Sequence, residues 1–296
     1  MKRNAVIRII AWTISLVILV GLLVVGLGWK YRRSGSLRGF SLIDAPEAQG
    51  STTAENAGLP DSTDVYLFRP HEVTDIKVDW LSGSIRICPS DDVQGIMLRE
   101  SAVSDSRYKM VCSQDGSTLK IGYCETSLRN MLGKNPLKKD LTITVPSDFS
   151  LKELEIDAAS AELTVRDLSI REVSVDTASG ESRFENCTVD ALDVDTASGG
   201  VYFEGSLNKL GCDSASAGVQ AVFSNVPYEI DMDTASGNLE LFLPEDAGFS
   251  VKMDTMSGKF DSTLTYTAKN GRYVRGNGAC DIDISSMSGG ITIRSK

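Results

Sequence analysis

The 296-residue sequence predicts an all-β protein, a parallel β-solenoid of about 19-residue coils, preceded by one N-terminal transmembrane helix. Three observations predict it. A phrase close to Val-Asp-Thr-Ala-Ser-Gly recurs along the chain at a near-constant spacing. The residues around each copy alternate apolar and polar with the two-residue period of a strand. One long uncharged run lies near the N-terminus, and no later stretch sustains a helical period with caps.

The uncharged run is Ile9 to Trp29, 21 residues, which as a helix spans about 31 Å, the thickness of a bilayer core. Trp12 and Trp29 sit near its ends, where interfacial aromatics belong. The run exceeds the apolar core of a cleaved signal peptide, so it reads as an uncleaved anchor. No Cys follows it to support lipid attachment. Lys2, Arg3 and Arg8 precede the run and Lys30, Arg32, Arg33 and Arg38 follow it, so charge alone does not set the orientation. A short tail before a large domain is a signal-anchor layout. The expectation is a single-pass protein of a bacterial cytoplasmic membrane with its C-terminal domain outside. The chain then divides into a cytoplasmic tail (1–8), a transmembrane helix (9–29), a flexible linker (30–63) and the solenoid (64–296). The linker holds Gly35, Gly39, Pro46, Gly50, Gly58 and Pro60; at that length a flexible chain has an end-to-end distance of roughly 30 Å.

Beyond the linker the pattern is β. Asp75-Ile-Lys-Val-Asp79, Ser84-Ile-Arg-Ile87 and Leu141-Thr-Ile-Thr-Val145 alternate. The motif copies begin at Asp157, Asp176, Asp195, Asp213, Asp233 and Asp254, with an earlier copy Asp79-Trp-Leu-Ser82 and a late one Ser285-Ser-Met-Ser288. Around the third copy, Leu192 and Val194 point inward, Asp193 and Asp195 outward, and after the Ser-Gly corner Val201 and Phe203 point inward again. Two short strands and two corners are too few residues for a propeller blade and suit one solenoid coil, whose apolar side is buried only by stacking on the next. Ala161 and Ala217 replace the corner glycine in two copies, which implies ordinary dihedrals there. The longer last interval contains Asn270-Gly271, a hairpin turn signal, and this insert is expected to help cover one end.

Charge narrows the partners. The net charge is −10, and residues 1–63 carry seven Lys/Arg against four Asp/Glu, leaving about −13 for the rest. Nucleic acid is disfavoured, because phosphates need a basic footprint. The six cysteines form no Cys-x-x-Cys pair, so a zinc ribbon or dithiol motif is not expected. Cys212 occupies the inward place held elsewhere by Ile156, Val175, Val194, Met232 and Met253, and reads as a small hydrophobe.

The Asp-Thr-Ala-Ser-Gly series, Leu141-Thr-Ile-Thr-Val-Pro146 and the closing Ile282-Asp-Ile-Ser-Ser-Met-Ser-Gly-Gly-Ile-Thr-Ile293 resemble the bacterial putative-adhesin family of β-strand-repeat domains, over roughly residues 72–296. The resemblance implies a β-solenoid at the cell surface, of unassigned function, and carries no catalytic residues across.

The recurring carboxylate is the sharpest candidate feature. Stacked in register, Asp157, Asp176, Asp195, Asp213, Asp233 and Asp254 would form an acidic ladder at about 4.8 Å spacing. Like charges at that distance repel by about 0.9 kcal/mol even in water. The bland reading is that each Asp accepts corner hydrogen bonds, with Thr177, Thr196, Ser214, Thr234 and Thr255 beside it. The functional reading is a ladder that takes Ca²⁺ or a cationic polymer, although Ca²⁺ wants six to eight oxygens. His71 is the only histidine, so neither a serine-histidine nucleophile nor a histidine-rich metal site is expected. Two basic breaks interrupt the repeat: Lys134, Lys138 and Lys139 in one loop, and Lys269, Arg272, Tyr273 and Arg275 in the hairpin; both read as solvated charge, and the functional reading makes the hairpin a contact for an anionic polymer or another copy. The expected function is a non-catalytic, membrane-anchored envelope scaffold or adhesin-like module. The alternatives are a polysaccharide-active enzyme on the same coil and an accessory to envelope sensing.

Overall fold

The computed structural model describes residues 65–296 apart from 102, 104 and 125–136. The tail, the run 9–29, the linker and Lys134 lie outside the described residues. Among those described, no helix is long and apolar enough to cross a membrane.

The N-terminal strands are β1 (Val65–Phe68), β2 (Asp75–Ser90), β3 (Ile96–Glu100), β4 (Val111–Asp115), β5 (Thr118–Gly122) and β6 (Lys139–Pro146). The middle of the chain supplies β7 (Ser150–Arg166), β8 (Ser169–Thr177), β9 (Ser182–Thr196), β10 (Val201–Ser214), β11 (Val219–Phe223), β12 (Glu229–Thr234) and β13 (Leu239–Leu243). Then follow β14 (Phe249–Thr255), β15 (Phe260–Ser262), β16 (Thr267–Lys269), β17 (Arg272–Arg275), β18 (Cys280–Ser286) and β19 (Ile291–Ser295).

The repeat stacks in parallel register, as its alternation predicts. On the first sheet Val78 pairs with Ile156, then Val175, Val194, Cys212, Met232, Ile284 and Met253 follow in one column. All but Met253 are at most 4% exposed, and each buried aliphatic side chain of this size contributes about 1.5–3 kcal/mol. On the second sheet Val165, Phe184, Phe203, Ala221, Leu241 and Ile293 form the facing column. Phe184, Phe203 and Phe223 lie in tilted contact, with ring centroids 6.4 and 6.2 Å apart.

A third short side, not read from the sequence, closes the first coils with Leu151, Ile170, Val189 and Leu207 in register. The chain reaches it through a corner of left-handed residues: Asp167 (φ 54°), Asn186 (φ 53°) and Gly205 (φ 145°). Asp and Asn tolerate that region better than other side chains, and glycine adopts it freely. Asn186 Nδ2 donates to Asp167 Oδ1 at 2.7 Å, tying the corners of two coils together.

The order of coils departs from the order of the chain at both ends. β2 lies between β7 on one side and β5 and β6 on the other. The last coil, β18 and β19, slots between β12/β13 and β14/β15. The copy at Asp254 therefore stacks on Ser285, not on Asp233, which corrects the simple sequential ladder. Antiparallel strands finish the stack: β3 on β6, β1 on β3 and β4 on β5 at one end, β17 on β14 and β16 on β17 at the other. Such caps satisfy strand edges that would otherwise pair with other chains. The Asn270-Gly271 turn is the tip of the β16–β17 hairpin, with φ of 51° and 77°, so the insert covers an end as expected.

Candidate functional site

The outer face of the first sheet carries the carboxylates. In register, Asp79 meets Asp157, then Asp176, Asp195, Asp213 and Asp233 follow without a gap. Ser285 comes next and separates Asp254 from the row. The ladder thus gains Asp79 and loses Asp254 relative to the reading from sequence. Both changes follow from the coil order, which no motif spacing encodes.

Two residues earlier on the same face runs a second row: Lys77, Glu155, Ser174, Asp193, Gly211, Asp231, Asp283 and Lys252. Gly211 leaves a notch in it, since a Cβ there would come within 2.2 Å of Asp193 Oδ1. The carboxylates of Asp193, Asp195, Asp213, Asp231 and Asp233 cluster around that notch. A shallow groove beside it is lined by Tyr228, Glu229, Asp231, Asp281 and Asp283.

Crowding alters the acidities. Burial and then the neighbouring Asp157 push Asp79 up to about 6. Asp176, Asp195, Asp213 and Asp231 are raised by partial burial first, then by adjacent carboxylates. Asp176 and Asp195 lie close enough to act on each other's acidity, and Asp157 acts on Asp176 as well. A face of this kind attracts cations and basic groups. Among the described residues, no group of three His, Cys, Asp or Glu side chains is placed to hold a metal ion.

The corner bonding expected of Asp falls instead to Thr. Thr177, Thr196, Thr234 and Thr255 each accept the backbone N–H of the glycine three residues on, at 2.8–3.1 Å. The Asp side chains are left on the outer face.

In the first basic break Lys138 is exposed, as its reading as solvated charge expects, while Lys139 departs from that reading. Lys139 is not in solvent: its side chain is 0% exposed and its ammonium lies 2.8 Å from Glu100 Oε2. It also donates to the carbonyls of Tyr108 and Tyr123 and lies 4.7 and 4.2 Å from the ring centres of Trp80 and Tyr123. Burial lowers its pKa, opposed by the bond to Glu100. In the hairpin, Arg272 bonds Asp281 and Asp283 and donates to Ser250 Oγ at 2.7 Å. Arg275 donates to the carbonyls of Ala247 and Glu245. Tyr273 stacks on Phe260 with centroids 4.3 Å apart, and Lys269 is exposed. His71 is exposed beside Glu72. Cys212 is 4% exposed in the inward column, and burial pushes its thiol up to about 12.

The Toastrack DUF4097 family profile matches residues 73–220 and 206–294. No protein of curated description matches the chain. Among solved structures, a putative adhesin from Bacteroides fragilis NCTC 9343 is 16% identical, with 79% of this chain and 97% of that one covered and a TM-score of 0.40. A putative lipid binding protein from Parabacteroides distasonis ATCC 8503 is 14% identical, with 80% and 98% covered and a TM-score of 0.42. A putative cell adhesion protein from Clostridium sporogenes ATCC 15579 is 11% identical, with 79% and 99% covered and a TM-score of 0.37.

Proposed function

The chain belongs to the Toastrack DUF4097 family, and on that premise we propose that it is a membrane-anchored, non-catalytic adhesin-like or scaffold protein of the cell envelope. Residues 9–29 would anchor it in a bacterial cytoplasmic membrane, with residues 30–63 as tether and the solenoid outside. The observation that supports this best is the unbroken row Asp79, Asp157, Asp176, Asp195, Asp213 and Asp233. Its carboxylates follow the repeat and share one flat face, so they offer the same weak contact many times. Repeated weak contacts suit an extended partner bearing amines, such as a basic protein surface or an amine-carrying envelope polymer, because linked contacts multiply. Ca²⁺ would have to meet this row largely through waters, since among the described residues no group of three His, Cys, Asp or Glu side chains is placed to hold it.

The test is retention of envelope polymers by the purified full chain, with and without calcium. We expect retention of amine-bearing polymer, no shortening of it, and loss of retention when Asp176, Asp195 and Asp213 are changed together to Asn. Shortening of the polymer would point to an enzyme, and equal retention by the triple variant would remove the acidic row from the function.

A further inference from the structure

We propose that the N-terminal end of the second sheet's outer face is a membrane-surface contact for anionic phospholipid, with Arg86 and Arg99 binding headgroups beside the aliphatic edge residues Val65 and Leu67. The inference rests on the anchored reading above. Register places Val65, Arg99, Thr142, Arg86 and Thr164 in one row across β1, β3, β6, β2 and β7. The two arginines are thus two strand spacings apart, about 9.6 Å, with a threonine between them.

Three features set this row apart. The first is charge. Arg107, Arg166, Arg171, Arg183 and Arg294 each pair with a carboxylate, whereas exposed Arg86 and Arg99 have no ion-pair partner among the described residues. Asp140 and Glu162 lie one row toward the corner, and Asp140 is taken by Ser84 Oγ at 2.7 Å. In a domain of strongly negative charge, two uncommitted arginines in one row mark a place that an anionic surface attracts, while the acidic ladder is repelled from it.

The second feature is the edge. Among the described residues β1 pairs only with β3, and on its outward side Val65 and Leu67 are 45% and 58% exposed. An uncharged aliphatic edge is normally blunted or covered. Its row neighbours Met97, Thr144 and Cys88 are also uncharged. Aliphatic side chains flanked by arginines match the boundary between headgroups and acyl chains.

The third is where the chain enters. β1 is the first described strand and directly follows residues 30–63, so this end of the solenoid is the one the tether brings to the bilayer.

Hydrogen exchange of the full chain in lipid nanodiscs tests the proposal. Amides of residues 65–68 and 96–100 should exchange on the order of thirty-fold more slowly in discs containing phosphatidylglycerol than in phosphatidylcholine alone, the ratio that two headgroup-bound cations supply. Arg86→Gln with Arg99→Gln should abolish that difference while β9 and β10 stay protected, which shows that the variant is folded. Equal exchange in both lipids overturns the proposal. Protection that requires two chains per disc also overturns it, and assigns the edge to a second copy. Release of the chain from discs by alkaline carbonate would sink the anchor alone; flotation with phosphatidylglycerol vesicles then decides the surface by itself, lost in the double variant if the proposal holds and unchanged if it fails.

Discussion

Lys139 and Glu100 form an ion pair sealed from solvent at the N-terminal end of the stack, Nζ to Oε2 2.8 Å, side chains 0% and 3% exposed. Every polar atom around the pair is committed. Glu100 accepts the Met110 N–H at 3.0 Å with both oxygens, and the Lys139 carbonyl accepts the Trp80 indole N–H at 3.1 Å. The pair holds together strands β2, β3 and β6 and the segments at Tyr108 and Tyr123, which come from five separate stretches of chain.

Removing one partner should therefore be costly. Lys139→Met leaves an unpaired buried carboxylate and is expected to destabilise the protein by about 3–5 kcal/mol. Lys139→Met with Glu100→Leu removes both charges and should recover much of that loss, because an apolar replacement of a buried pair is often near neutral. Urea unfolding of the full chain in detergent measures both. A double variant no more stable than the single one would mean that the pair is essential to packing and not merely tolerated.

The acidic ladder sets a pH dependence of known sign. Asp79 titrates near 6 in the folded protein against 3.8 for an ordinary Asp, so the folded state holds its proton more tightly. The resulting stability is full below about pH 3.8 and is lost as pH rises through 6, an upper bound of about 3 kcal/mol. Asp176, Asp195, Asp213 and Asp231 are raised in the same direction. The urea midpoint should rise on going from pH 7 to pH 5, and Asp79→Asn should raise the midpoint at pH 7 and flatten the profile. A midpoint that falls on mild acidification would contradict the crowding of these carboxylates.

Much of this arrangement was legible in the sequence. The inward column from Ile156 to Met253 and the outward Asp row follow from a period of two, which stacking converts directly into register. The coil order was not legible, because the motif at Ser285 looks the same whether it stacks on Asp254 alone or between Asp254 and Asp233. Lys139 misled for a related reason. Three lysines within six residues look solvated, and what buries one of them is Glu100, Trp80 and Tyr123, each distant in sequence. The signal that was available lay in Trp80 itself, which replaces the small corner residue of the other copies and needs a partner for its indole N–H.

The hairpin arginine should prove structural. Arg272→Ala removes the bonds to Ser250, Asp281 and Asp283 that fasten β17 over β14 and β18. We expect a loss of about 1–3 kcal/mol, the range for charge-assisted hydrogen bonds, and faster amide exchange confined to β14 through β18. Exchange unchanged in those strands would return Arg272 to the role of a free surface cation.

Four corner glycines are required by close approach and not by dihedral. A Cβ on Gly180, Gly199, Gly237 or Gly258 would lie 1.8–1.9 Å from the carbonyl oxygen of the adjacent coil, and none of these four is among the positive-φ glycines. The same Cβ would also crowd the corner threonine, 3.3 Å from Thr177 Oγ1, 3.1 Å from Thr196 Oγ1 and 2.7 Å from Thr255 Oγ1. In the two coils where alanine does occupy this place, Ala161 and Ala217, the threonine position holds Ala158 and Ser214. In both coils the residue three places earlier is smaller than threonine, so the two positions vary together. Gly199→Ala alone should then destabilise by about 1–3 kcal/mol, as overpacking does. Adding Thr196→Ala, which removes that Oγ1, should recover part of that loss, although Thr196→Ala by itself is unfavourable. The coupling between the two changes, read from a double-mutant cycle in urea, is expected to be favourable and on the order of 1 kcal/mol. Strict additivity would show that the two positions accommodate alanine independently, and that the pairing of residue types between coils has another cause.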